Sequence, residues 1–251
     1  VTRRVPALAV VLWSQLAGLA LGLVAAPLLG GSGLSGDVLL WGSVAGFVGA
    51  FGLIALYQGL ATGSMAVVAP VSAVLAAAIP VVVGLGLGER PDLSAWAGMG
   101  VAIPAIWLVS RQDTGGWGRG LGLGLLAGLG FGLFFVFLSL TPPDAGLWPL
   151  IPARLGSLVL VTGLLIFRRT SPRLVRASVW PVVIAGLLDM LANMFFLAAV
   201  QRGLLSLLAV VSSLYPVVTV LLARMFLAET IGMRRWAGIG LAVGALGLIS
   251  L

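Results

Sequence analysis

The stretch Trp96-Ala97-Gly98-Met99-Gly100 returns 140 positions later as Trp236-Ala237-Gly238-Ile239-Gly240. Working outward, residues 53–110 align without gaps with residues 193–250, which sets Gly63 against Gly203, Ser72 against Ser212 and Glu89 against Glu229. An ungapped repeat of this length is an internal duplication. Both copies lie in runs of about twenty apolar residues, long enough to cross a bilayer as helices.

Composition points the same way. The 251 residues are 61% hydrophobic and 8% charged, with a mean hydropathy of +1.20, far more apolar than the core of a water-soluble domain requires. Cysteine, histidine and lysine are absent, which removes disulfides, thiolate and imidazole metal ligands, the commonest general base and Schiff-base chemistry. No metal site or cofactor is expected. A net charge of +7 would indicate nucleic acid in a soluble protein, but here most arginines fall in short connections between apolar runs, where they anchor loops against lipid headgroups. The bilayer, not nucleic acid, is the expected partner.

The predicted fold is an all-α polytopic bundle of nine spans, at 5–27, 38–62, 65–87, 94–110, 120–140, 146–167, 178–201, 204–228 and 234–251. Helix is favoured over strand because the runs are too long for barrel strands and lack polar/apolar alternation. Between Glu89 and Glu229 the chain crosses an odd number of times, so the two copies face opposite sides of the membrane. Counting therefore predicts an inverted-topology repeat. Residues 1–112 form the first repeat, 113–119 a linker and 120–251 the second. The offset pairs the first span with the sixth and the second with the seventh, leaving the fifth unpartnered; a helix preceding Val1 is the expected equivalent, giving four spans plus five here.

Arg3, Arg4, Arg111, Arg119, Arg168, Arg169, Arg173, Arg176, Arg234 and Arg235 fall on one side if the spans alternate, against Arg90 and Arg202 on the other. The positive-inside rule puts the first group in the cytoplasm and the C-terminus outside.

The pattern Tyr57-Gln58-Gly59-Leu60-Ala61, Val68-Ala69-Pro70-Val71-Ser72, Gly88-Glu89-Arg90 and Trp96-Ala97-Gly98 resembles the EamA-like branch of the drug/metabolite transporter superfamily. It recurs as Ser212-Ser213-Leu214-Tyr215-Pro216, Ala228-Glu229 and Trp236-Ala237-Gly238. The resemblance implies a carrier of two inverted five-helix halves that moves small metabolites, amino acids or drugs through a central cavity. It also implies both chain ends in the cytoplasm, opposite to the arginine count.

Asp189 is the sharpest candidate for chemistry, because it lies near the middle of the seventh span, where a charge costs at least about 2.5 kcal/mol on the insertion scale. Asn193 follows one turn later on the same face and is expected to present its amide beside the carboxylate. A substrate or proton site and a buried structural hydrogen-bond node are the two readings. Arg154, eight residues into the sixth span, comes to a similar depth, so an ion pair with Asp189 is feasible; a static pair and snorkelling to the interface are its alternatives. Pro70, Pro80 and Pro216 interrupt the third and eighth spans, and Ser72, Ser212, Ser213 and Tyr215 lie close enough to serve the freed carbonyls. These form either a loosened cavity lining or a fixed bend held by intrahelical serine bonds.

Gln15 and Gln58 are weaker polar candidates, and Trp13 and Trp107 lie deep enough to touch a ligand. Trp41, Trp96, Trp117, Trp148, Trp180 and Trp236 read as interfacial anchors. Glu89 and Glu229 are expected to bond the first amides of the helices that follow them, and Arg224 to snorkel. Gly120, Gly124, Gly128 and Gly132 make a small-residue stripe suited to packing inside the monomer, with homodimer formation as its alternative. Gly122-Leu123-Gly124-Leu125-Leu126-Ala127 matches a dinucleotide fingerprint formally, but no strand precedes it.

The expected function is secondary transport of a small amino-acid-like or amphiphilic compound by alternating access, with protons as a candidate coupling ion. A non-transporting scaffold or accessory subunit is the rival. An intramembrane enzyme would need paired acids, a serine with a base or a metal triad, and this chain has one acid well inside a span and no histidine. No catalytic residue is assigned.

Overall fold

The computed structural model describes residues 6–61, 65–110, 117–203, 205–212 and 232–249. Among them are α1 (Ala7–Leu29), α2 (Gly36–Ala61), α3 (Met65–Gly86), α4 (Leu93–Ser110), α5 (Trp117–Ser139), α6 (Leu150–Phe167), α7 (Arg176–Val200), α8 (Leu205–Ser212) and α9 (Met233–Ile249). The fold is an all-helical bundle of a multi-pass membrane protein. Of the described helices, α1, α2, α5, α6 and α7 are long and apolar enough to cross a membrane, while α3, α4 and α9 carry shorter apolar stretches. Outward-facing positions such as Val159, Ile166, Trp180 and Phe195 are exposed and apolar, which suits hydrocarbon. Pro216, Ser213, Tyr215, Arg224 and Glu229 lie outside the described residues.

The sixth span is shorter than its hydropathy predicts. A 3-10 turn occupies Pro143–Ala145, and α6 begins only at Leu150. Pro142, Pro143 and Pro149 cannot donate helical hydrogen bonds, and Gly146 takes a positive φ of 58°, so the segment turns before it can wind. This turn packs on the α1–α2 connection. There Gly31 (φ 127°) comes so close to Ala145 that a Cβ would lie 2.8 Å from its carbonyl carbon, and Ser32 N donates to Asp144 O at 2.9 Å.

Neighbouring helices touch in a consistent pattern: α1 with α6 and α7, α2 with α5 and α6, α3 with α5 and α8, and α4 with α9. Small residues allow the close approaches. A Cβ on Gly46 of α2 would lie 2.6 Å from Ala153 Cα on α6, and one on Gly186 of α7 would lie 2.8 Å from Ser14 Cα on α1. The glycine stripe of α5 is spent inside the chain. Gly124 faces Val68 and Val71, Gly128 faces Ser72 and Leu75, and Gly132 faces Ile79, all on α3.

The described connections fit an alternating up-and-down course through α8. Gln201 Nε2 donates to Gly146 O at 2.9 Å, and Leu205 N donates to Glu89 Oε1 at 2.6 Å, which gathers the α3–α4, α5–α6 and α7–α8 connections at one end. Arg90 and Arg202 share that end. Glu89 was expected to hold the start of α4, and the structure corrects this. Asp92 Oδ1 accepts from Ala95 N and Ser94 Oγ, both at 2.9 Å, so the nearer carboxylate caps α4 and leaves Glu89 for α8.

Candidate transport cavity

Within the bundle lies a cavity of about 440 Å³, walled mainly by α2, α5, α6 and α7, with Gln15 of α1, Ala76 of α3 and Ser212 of α8 also lining it. Most of its wall is apolar. Phe131, Phe134 and Phe135 come from successive turns of α5, and Phe196 of α7 meets Phe135 with ring centroids 4.3 Å apart. Volume and lining are those of a small-molecule site.

Its polar part is one cluster that ties three helices together. Arg154 Nη1 donates to Asp189 Oδ2 at 2.7 Å and also to Gln15 Oε1. The Arg154 side chain is 7% exposed and that of Asp189 47%, and both line the cavity. Asp189 is the fourteenth of the 25 residues of α7, mid-depth in a helix about 37 Å long at 1.5 Å per residue. Removing a guanidinium and a carboxylate from water is expensive, and here their charges cancel while a neutral amide takes the remaining Nη1 proton. Ser157, one turn beyond Arg154 on the same face of α6, also borders the cavity.

Arg154, Asp189, Asn193 and Ser212 all line this space. Asn193 lines the cavity with Asp189, and its Nδ2 donates to the Asp189 carbonyl at 2.7 Å, which engages the amide nitrogen with its own helix. Ser72 and Gln58 are not among the lining residues. Ser72 is fully buried in the α3–α5 contact, and its Oγ donates to Ala69 O at 3.1 Å. That back-bond makes it a support for α3 near Pro70. α3 runs unbroken through Pro70 and Pro80, so these prolines do not split it into two helices. Trp13 turns away from the cavity and donates Nε1 to Pro172 O at 2.8 Å.

Ser157 and Tyr57 are cavity residues that the sequence did not single out, whereas Gln15, a weaker polar candidate there, lines the cavity as well. Ser157 was legible as the i+3 neighbour of a mid-span arginine. Gln15 was legible as a polar residue inside an apolar run, but its pairing with Arg154, 139 positions away, was not. Gly49 and Leu53, which the repeat aligns with Asp189 and Asn193, line the same cavity. The site therefore draws on equivalent positions of both copies, polar in one and apolar in the other.

The model of the EamA-like transporter family matches residues 118–251, just over half of the chain. The chain belongs to the EamA-like transporter family. A solved structure titled only as the crystal structure of a protein superposes with a TM-score of 0.80 at 20% identity, covering 100% of this chain and 90% of its own. That likeness concerns the fold. No curated protein matches. As an EamA-like protein, the chain is a multi-pass membrane protein of a transporter family.

Proposed function

We propose that this EamA-like protein is a secondary transporter that carries small amino-acid-like or amphiphilic compounds across the cytoplasmic membrane by alternating access between two inverted halves. The observation that carries the reading is a mid-depth cavity of about 440 Å³ with an apolar wall and one internally neutralised charge pair. A sugar or polyphosphate would demand many more polar groups than this lining offers. A compound with one or two charged groups on an apolar body fits it.

Helix contacts support the two-halves reading. Exchanging each helix with its partner at the 140-residue offset turns the α1–α7 contact into the α6–α2 contact and returns α1–α6, α3–α8 and α4–α9 to themselves. The glycine contacts follow it as well. Gly46 and Gly186 are 140 positions apart, and they press on Ala153 and Ser14, which are one position from equivalence. A pseudo-two-fold relation of this kind lets one packing be exchanged for its mirror-related counterpart, opening the cavity to either side in turn.

The test is solute flux in proteoliposomes. Purified protein is reconstituted and counterflow is followed for labelled amino acids, aromatic acids and hydrophobic cations. Saturable counterflow of one of these is the expected result. Vesicles that bind no member of the panel and exchange none would overturn the carrier reading.

A further inference from the structure

Two residues that line the cavity each hold a buried polar atom with no hydrogen-bond partner among the described residues: Arg154 Nη2 and Ser157 Oγ. Both side chains are more than nine-tenths buried, and both residues line the cavity. Hydrogen-bond accounting shows how this arises. The two protons of Nη1 go to Gln15 Oε1 and Asp189 Oδ2, and of the three remaining guanidinium protons the two on Nη2 are the ones buried without a partner. A buried guanidinium proton without an acceptor costs more than a neutral one, so such a group calls for an oxyanion.

We propose that Arg154 Nη2 and Ser157 Oγ form an oxyanion subsite, and that the carried compound presents a carboxylate to it and an apolar body to Phe131, Phe134 and Phe196. The proposal rests on the carrier reading and names its substrate class. Arg154 and Ser157 stand one helical turn apart on one face of α6, the spacing that brings two donors to one anionic group. Asp189 sets the charge that the site tolerates. With its carboxylate 2.7 Å from the same guanidinium, the cluster is neutral before cargo binds, and a singly charged acid adds one anion where a dianion would add two. Gln15 is a positioning residue: by occupying Nη1 together with Asp189 it directs Nη2 to the subsite.

Binding to the purified full chain is measured calorimetrically with 3-phenylpropionate and with its uncharged amide, which has the same shape. The acid is expected to bind about tenfold tighter or more, the ratio of a charge-assisted hydrogen bond to a neutral one. Ser157→Ala should shrink that ratio severalfold with little change in amide affinity, and Ser157→Thr should restore it. A merely structural serine would lower both affinities together. Because Arg154→Gln alone strands Asp189, the paired change Arg154→Gln/Asp189→Asn keeps the cluster neutral, and in it the acid preference should vanish. Equal affinity for acid and amide, no binding of the acid, or an acid preference surviving the paired change each overturns the subsite and leaves ordered water as what satisfies these donors. Flux separates the two readings. Counterflow of a compound without acid preference sinks the subsite and keeps the carrier, whereas tight acid binding without flux keeps the subsite and sinks the carrier.

Discussion

Replacing Gly186 by alanine tests whether helix packing and the charged cluster are one mechanical unit. A methyl at this position would lie 2.8 Å from both the Cα and the carbonyl carbon of Ser14, and nearer still to its oxygen. Ordinary contact is 3.4–4 Å, so α7 and α1 must part by at least about 1.2 Å to clear the oxygen, since the obstacle is backbone and cannot rotate away. Overpacking of this kind costs about 1–3 kcal/mol. The same displacement carries Gln15, the next residue on α1, away from Arg154, and a hydrogen bond to a charged group contributes about 1.5–3 kcal/mol. Both losses come from one movement and overlap, so a total of about 2–4 kcal/mol is expected. The assay is unfolding of purified protein in detergent, with Gly163→Ala as control. A methyl on Gly163 meets nothing within 4 Å, and the change should gain up to about 1 kcal/mol from helix propensity alone. If Gly186→Ala proved as stable as Gly163→Ala, the close α1–α7 approach, and the coupling of packing to site drawn from it, would be wrong.

Other substitutions probe separate parts of the molecule. Asp189→Asn removes one partner of the pair and should cost about 1–2 kcal/mol, less than for a fully buried pair because Asp189 is half exposed; a double-mutant cycle with Arg154→Gln should show the second change costing less in its presence. The same variant should abolish any flux driven by a proton gradient, and unchanged uptake with unchanged pH dependence would eliminate Asp189 as the coupling residue. Glu89→Ala removes the acceptor of Leu205 N and should destabilise the start of α8 by about 1 kcal/mol, read as faster amide exchange there; unaltered exchange would contradict the bond. Hydrogen bonds from the Ala95 amide and the Ser94 hydroxyl hold the Asp92 carboxyl below its ordinary value of 3.8. A lowered folded pKa means that the cap's contribution is full above the unfolded value and is lost as pH falls through the folded one, so α4 should fray at its start only in acid below about 3.8. Asp92→Asn should remove that pH dependence while keeping a cap, and an identical acid profile in Asp92→Asn would refute it.

Much of the architecture was readable along the chain, and the reason is solvent. In hydrocarbon every backbone group must be satisfied within its own segment, so long apolar runs become helices whatever their neighbours do, and seven of the nine predicted spans have counterparts within a few residues at either end, while the eighth is described only over its first part, Leu205–Ser212. The sixth start was displaced by local prolines, whose effect hydropathy does not register. The glycine stripe of α5 showed that some close packing exists, since small residues at four-residue spacing imply it. Its partner, the Val68–Ile79 face of α3, appeared only with the coordinates.

At the site the division is sharper. The sequence by itself determined that this is a duplicated membrane protein with a carboxylate and an arginine at comparable depth, because a charge inside an apolar run needs a partner and few were on offer. Only the tertiary structure decided that Gln15 shares that guanidinium, that the Asn193 amide bonds back to its own helix, and that Ser157 and one arginine nitrogen have no acceptor among the described residues. Hydrogen bonding is short-ranged and directional, so it depends on the rotation of each helix about its axis and on contacts between residues as far as 139 positions apart. Apolar periodicity is too weak to set that rotation in helices that are apolar on every side.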